Sequence, residues 1–518
     1  MNNQTNIETL IRSDRLPEAE FQLRTAIAAN PRDPGLRATL ARLARLVERP
    51  LEAEAAACAA VWLDPANPVR WTALIEDRRQ AGHAAAAEAL ARTMLRQFPD
   101  DPGAHNALGM AQHDLGRMAE AENSFRGALR HNPGFTPAWI NLGLVRQKRG
   151  APAEAEACYR TAVAQGADAA AVGCNLGLAL LEQGRVADAE IACRSAVDAG
   201  NGLARVNLAM LLLLTGRLHD GWAAYEARLA LDPWDEPAPR LTSLAGVRGR
   251  TVLVRAEQGF GDTLQFCRYV PLLAQLGATV ILQVPAPLVR LLSGLPAQVV
   301  AEETPVTAVD TCCRLMSLPY LFDTTLATIP AAVPYLAAPD DAVAAWRSRL
   351  AECPGVKVGL VWAGGVRDTD GHAGAIDRRR SLPLAALAPL ADVPDCTLVS
   401  LQVGPPAAQI GQPGTLPVID PTGHLRDFAD TAALIAALDL VIAVDTAVAH
   451  LAGALGRPVW LLNRFDTCWR WLRDRDDSPW YPTLRQFRQR APGDWASVVT
   501  RVGAALAERV AHGAALLA

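Results

Sequence analysis

An α-helical solenoid followed by two doubly wound α/β domains is the architecture this 518-residue sequence predicts, and three observations predict it. Pro31, Pro65, Pro99 and Pro133 recur at a step of 34 residues, a period that marks stacked helix pairs. The period ends in a proline-rich hinge, DPWDEPAPRLTSLAG, near residue 235. Beyond it, short β-branched runs alternate with helical patterns, the signature of βαβ units with parallel strands.

The array comes first. Gly82, Gly116, Gly150 and Gly184 keep the 34-residue step, as do Ala19, Ala53, Ala87, Ala121, Ala155 and Ala189. Leu108-Gly109, Leu142-Gly143 and Leu176-Gly177 mark the first helix of each pair; Phe125 and Tyr159 mark the second. Small residues at fixed steps let two helices pack closely, and Gly or Pro ends them. Each pair buries its apolar stripe only against its neighbours, so the array forms a superhelix with a concave groove. Asn106, Gln112, Asn141, Arg146, Asn175 and Asn207 on the first helices suit the backbone amides of an extended chain, or form a solvated face.

The α/β part follows. TVLVR (251–255) and ATVILQV are strands flanking a helix, DTLQFCRYVPLLAQLG, closed by Gly277. A second series begins near Pro339: helix DDAVAAWRSRL, strand VKVGLVWAG, helix LPLAALAPLA, strand CTLVSLQV, helix LRDFADTAALIAAL, strand LVIAV, helix TAVAHLAGAL and strand PVWLLN. The final segment DWASVVTRVGAALAERVAHG reads as an amphipathic helix.

Composition limits the function. Half of the residues are apolar, a fifth are charged, and the net charge is -4, which describes an ordinary globular chain. No basic block points to nucleic acid. The stretch MNNQTNIETLIRSDR lacks a signal-peptide pattern, and the most apolar run, Ala432 to Leu462, is interrupted by Asp439, Asp445 and His450, so no membrane span is predicted. The ten cysteines show no paired metal spacing, and the adjacent Cys312 and Cys313 read as strand or core residues. A reduced, cytoplasmic setting fits this usage.

Ligands of parallel sheets bind at the carboxyl ends of strands, where helix N-termini face outward. Two stretches fit. In EQGFGD, Gly259 and Gly261 let a backbone approach a ligand, and Asp262 stands at a helix start either as a cap or as a general base. In VDTAVAH, the N–H groups of Thr446, Ala447 and Val448 favour a phosphate, and Thr446 and His450 share one helix face. Asp445 reads as a cap or a partner for a sugar hydroxyl; the plain alternative for His450 is a packed core histidine. The third glycine of a dinucleotide fingerprint is missing, which argues against NAD. Asp-x-Asp occurs in RDTDGH and DRDD, both in polar loops.

The 34-residue step resembles the tetratricopeptide repeat, with Trp71 and Trp139 at its Trp position and about seven units over residues 1–235. Gly249 to Val502 resembles a GT-B glycosyltransferase, near the heptosyltransferases and the repeat-bearing bacterial relatives of O-linked N-acetylglucosamine transferase. The resemblance implies two Rossmann-like lobes: 236–337 on the acceptor side, and 338–518 on the nucleotide-sugar side with the final helix. GFGDTLQFCRYVPLL is similar to the stretch bearing the heptosyltransferase base, which falls on Asp262. DTAVAHLAGALGRPVWLL is similar to the donor-diphosphate motif, which falls on Asp445, Thr446, Ala447 and His450. WAGG and DRRRSLPLAALAPL resemble the donor loop and place Trp362, Gly364, Gly365, Arg379, Arg380 and Ser381 near the nucleotide, with Gln402 on the SLQ strand.

The resemblance implies sugar transfer from a nucleotide-diphosphate donor to a hydroxyl of a protein held in the repeat groove, a surface protein such as flagellin being one candidate. It implies no metal and no cofactor beyond the nucleotide-sugar co-substrate. Relatives often carry a Lys after SLQ, where this chain has Val403; Lys148 and Lys357 are its only lysines, so Arg379 or Arg380 is expected to supply the charge. A non-enzymatic scaffold with a degenerate transferase domain, or a heptosyltransferase-like enzyme acting on a glycan, are the alternatives.

Overall fold

The computed structural model describes residues 2–234, 236–365 and 372–512. It divides into two compact units, Met1–Leu180 and Leu181–Ala518. The first is a run of antiparallel helix pairs, among them Pro68–Gln80 with Ala84–Gln97, Pro102–Asp114 with Met118–His131, and Thr136–Lys148 with Pro152–Ala164.

The repeated side chains have matching jobs. Trp71 Nε1 donates to the carbonyl of Pro65, and Trp139 Nε1 to that of Pro133, both at 2.9 Å. His105 Nε2 takes the same place against Pro99 at 3.0 Å. The Leu-Gly step has an equally local cause: a Cβ on Gly143 would lie 2.5 Å from the Tyr159 ring, and one on Gly109 would lie 2.6 Å from Phe125. The first helix of each pair gives up its side chain there so that the aromatic of the second can be buried.

The second unit opens with the last helices of the array, including Val186–Asp198, Gly202–Leu214 and Leu218–Tyr225. The helical pattern of the sequence ends near 235, but the packing joins these helices to the α/β part. Leu213, Leu214, Leu218, Trp222 and Tyr225 share one buried core with Val252, Val254 and Phe266.

Two parallel sheets follow. The first contains β1 (Thr251–Arg255), β2 (Thr279–Val284), β3 (Gln298–Ala301) and β4 (Thr311–Arg314), in the order β3-β2-β1-β4. The second contains β5 (Val356–Val361), β6 (Cys396–Ser400), β7 (Leu440–Val444), β8 (Val459–Asn463) and β9 (Leu484–Arg488), in the order β6-β5-β7-β8-β9. Chain order reverses beside β1 in the first sheet and between β5 and β7 in the second. Reversals of this kind are where ligands of parallel sheets bind, at the strands' carboxyl ends.

Several local expectations are refined. The segment after β1 is not one helix but Phe260–Phe266, a 3-10 turn and Val270–Gln275, and Pro271 stands where the second piece starts. Leu384–Asp392 is 3-10 helix carrying Pro389 rather than α-helix, since proline removes an amide donor. Cys312 and Cys313 sit buried in β4. The Trp495–His512 helix sets Val498, Val499, Val502 and Leu506 into the core beneath β5 and β7. Among the described residues, no helix is long and apolar enough to cross a membrane.

Candidate functional site

The two candidate stretches meet. The Phe260–Phe266 helix leaves the carboxyl end of β1, and the Ala447–Ala454 helix leaves that of β7. A Cβ on Gly261 would lie 2.9 Å from His450 Cδ2 and 3.5 Å from Ala447 Cα. Only glycine allows the start of one helix to press this closely on the first turn of the other.

Asp262 closes its helix start by accepting the Gly259 N–H on Oδ2 at 3.0 Å. Its Oδ1 pairs with the guanidinium of Arg470, and its side chain keeps 17% exposure. Arg470 lies in a 3-10 turn, Trp469–Trp471, with its guanidinium 4.1 Å over the Trp469 ring. Burial alone would lower the pKa of Arg470, but the Asp262 charge, together with Cys468 and Tyr225, outweighs it and raises the value.

At the other helix start, Thr446 is the N-cap residue, yet its hydroxyl turns back to the Val444 carbonyl at 3.2 Å. Among the described residues, the N–H groups of Ala447 and Val448 have no hydrogen-bond partner. His450 is buried: Nδ1 lies 3.0 Å from Tyr481 Oη, the ring stacks on Trp471 at 5.0 Å, and Nε2 is 3.9 Å from Asp445 Oδ1. The imidazole thus faces an aromatic wall rather than an open helix side. Asp445 is buried too. Burial opposes its ionisation, while His450, Arg380, Arg464 and Arg470 hold its carboxyl below the ordinary value.

Trp362, Gly364, Gly365, Ser381 and Gln402 gather at the ends of β5 and β6. Gln402 Oε1 accepts the N–H groups of Trp362 and Ala363 at 3.1 and 2.9 Å, which ties the two strand ends together. Ser381 Oγ accepts the Gly364 N–H at 3.0 Å, and Gly365 is exposed. The Trp362 ring is wholly inside the core. Arg380 lies against Gly364, ion-pairs with Asp377 and donates to the Asp445 carbonyl at 2.6 Å. Arg379 reaches Glu182 and Asp466 instead, at 3.2 and 3.1 Å.

Three arginines were not singled out from the sequence. Arg464 follows β8, Arg470 contacts Asp262, and Arg268 donates to the Trp480 carbonyl at 2.7 Å and Tyr335 Oη at 2.9 Å. Trp469, Trp471, Trp480 and Tyr481 are core side chains. Of the two Asp-x-Asp loops, RDTDGH lies largely outside the described residues, and in the other Asp477 pairs with Arg475. Among the described residues no group of three or more His, Cys, Asp or Glu could hold a metal ion.

The repeat groove of the first unit holds a cavity of about 400 Å³ whose lining includes Thr72, Glu76, Arg79, Asn106, Met110 and Phe135. Asn141 donates at 2.9 Å to Asn106, one of the lining residues, whereas Gln112 is buried and accepts from Ser124 at 2.7 Å.

The strand–helix–strand passage that carries Asp445 and His450 is where the α/β part resembles a known family. Residues 425–462 match the glycosyltransferase family 9 (heptosyltransferase) model. Residues 72–134 and 140–204 match a tetratricopeptide repeat model, so the chain is a repeat solenoid followed by parallel-sheet α/β domains with a family 9 segment. Protein FlbA of Caulobacter vibrioides is 31% identical over 335 residues, covering 58% of this chain and 54% of FlbA. The chain thus spans about half the length of that curated relative. Among solved structures, a thermophilic TPR protein of Thermus thermophilus covers 35% of this chain and 100% of its own at 22% identity and a TM-score of 0.33. A tetratricopeptide repeat protein of Parabacteroides merdae covers 45% and 92% at 16% identity and a TM-score of 0.37.

Within the family 9 segment, His450 gives a pH signature. Burial pushes its imidazole down to about 4, against the pull of Asp445 and with the charge of Arg470 adding to the depression. The unfolded value is near 6.5, so the native state favours the neutral ring. Stability is therefore full above pH ~6.5 and falls as the pH drops toward 4, by roughly 3 kcal/mol in all. Urea titrations from pH 7 to 4 should show this loss, and His450→Gln should flatten it. An unchanged slope in that variant would remove His450 as its source.

Proposed function

We propose that this chain is a metal-independent glycosyltransferase of the GT-B type, which moves a sugar from a nucleotide-diphosphate donor to a hydroxyl of a protein recruited by the repeats. The observation that carries the reading is the apposition of Asp262 and the unpartnered first turn at Ala447 and Val448, each at a topological reversal of its sheet. The family 9 match over that turn supports it.

In this reading Asp262 takes the proton of the acceptor hydroxyl as its oxygen bonds to the anomeric carbon. The bond from that carbon to the diphosphate breaks, and the electron pair leaves with the diphosphate. The Ala447 and Val448 N–H groups, the helix dipole and nearby guanidinium groups stabilise the departing charge. The repeat groove, with Asn106 and Asn141 on its wall, presents the acceptor. The setting is cytoplasmic, where nucleotide sugars are made.

A non-enzymatic scaffold is the second reading. It is favoured by the Arg470 ion pair on Asp262, and by Val403 standing 57% exposed where related transferases carry a cation. Thermal-shift screening against nucleotide sugars separates the two, because a donor at 100 times its Kd stabilises the folded state by about 2.7 kcal/mol. The transferase reading expects a rise in melting temperature with one donor class. No shift with any donor would leave the scaffold.

A further inference from the structure

Three guanidinium groups at this end of the second unit are already ion-paired, two of them buried. Arg380 pairs with Asp377, Arg464 with Asp466, and Arg470 with Asp262. An entering dianion that reaches any of these three guanidinium groups therefore has to displace a carboxylate. The four side chains Asp377, Asp445, Asp466 and Asp262 are 12, 12, 10 and 17% exposed, so Asp262 is the one most open to displacement.

The arginines also have unused donors. Arg464 is 7% exposed, and its Nη1 has no hydrogen-bond partner among the described residues. Arg470 is 8% exposed, with Nε in the same condition. A buried N–H without an acceptor is costly, and an anion would satisfy these donors. Arg470 reaches the helix start at Asp262, whose neighbour Gly261 presses on Ala447 and His450. Arg464 and Arg470 both act electrostatically on Asp445, the residue from which that helix sets out.

We propose that Arg470 is an exchange residue: a diphosphate bound at the start of the Ala447–Ala454 helix takes over the guanidinium of Arg470 and releases Asp262. Donor binding and the freeing of the base are then one event. Without donor, Asp262 has one oxygen on the Gly259 amide and the other on Arg470, and is poorly placed to accept an acceptor proton. Once the diphosphate holds Arg470, the second oxygen faces the crevice. The natural anion's identity as a nucleotide diphosphate rests on the transferase reading above. The exchange also supplies the cation that Val403 does not.

The test uses inorganic pyrophosphate as the probe and isothermal titration calorimetry on the full chain. Asp262 competes with the anion for Arg470, so Asp262→Asn is expected to tighten pyrophosphate binding by about tenfold, and Arg470→Gln to weaken it by about tenfold or more. Arg470→Lys, which keeps charge but not the fork, should fall between wild type and Gln. A purely structural ion pair would make both ends of the pair move affinity in the same direction. Unchanged or weaker binding in Asp262→Asn, or wild-type binding in Arg470→Gln, would overturn the exchange. If Arg470→Gln does not fold, Asp262→Asn and Arg470→Lys alone still decide the sign. A protein that passes this test but transfers no sugar from any donor fails the transferase reading and not this one.

Discussion

A chain beginning at Leu181 is expected to fold, and one beginning at Glu236 is expected not to. The difference is the group of helices that sequence periodicity assigns to the repeats and packing assigns to the α/β part. Trp222 is 1% exposed and meets Trp469, Phe266 and Trp480 edge-on at ring distances of 5.3, 5.7 and 6.5 Å. Truncating one such side chain costs about 3–5 kcal/mol, within a total stability of about 5–15 kcal/mol. Removing residues 1–235 also strips Leu213, Leu214, Leu218 and Tyr225 from the same core. It leaves Glu257 without Arg228, which now meets both of its carboxylate oxygens at 2.9 and 2.7 Å. Circular dichroism melts of the two truncations check this; a cooperative transition in residues 236–518 would show that the sheets need no support from these helices. An assay of whether catalysis requires the repeat groove should therefore cut at 181.

The second large effect is chemical. Asp262→Asn is expected to lower sugar transfer by about 10²–10⁴-fold, the usual contribution of a positioned general base. If Asp262 were only a helix cap, the change would be nearly silent, because Asn still accepts the Gly259 amide. The ion pair alters the stability side of that expectation: the variant leaves the buried Arg470 guanidinium without its counter-charge. Breaking a fully buried pair costs about 3–5 kcal/mol, and the partial exposure of Asp262 brings this below that range. The melting temperature should fall by a few degrees while the fold persists. Transfer assays below that temperature isolate the chemical loss, and full activity there would remove Asp262 as the base.

The repeats were legible because their cause is local. A 34-residue step records which side chain meets which nearby carbonyl or ring in each successive pair, as Trp71 with Pro65 and Gly143 with Tyr159 illustrate. The interior strands were legible for their β-branched runs. Strands β3, β4 and β9 were harder: QVVA and TCCR are four residues long, and LRQFR alternates charge with apolar side chains at a sheet edge. Strand ends drew attention to Asp262 and to residues 445–450, since topology alone directs ligands there. The Asp262–Arg470 pair spans 208 positions, and no spacing rule reaches that far. Likewise, a four-residue interval sets Thr446 and His450 along one side of a helix, but says nothing of the Trp471 and Tyr481 that fill that side.

The cations around this crevice are all arginines, and this chain has almost no lysine to put in their place. A guanidinium stays protonated at any pH a folded protein survives, whereas an ammonium begins to lose its proton near 10. Alkali therefore cannot silence the positive side of this site. What pH controls near neutrality here is left to carboxylates, to one sheltered imidazole and to the substrates themselves.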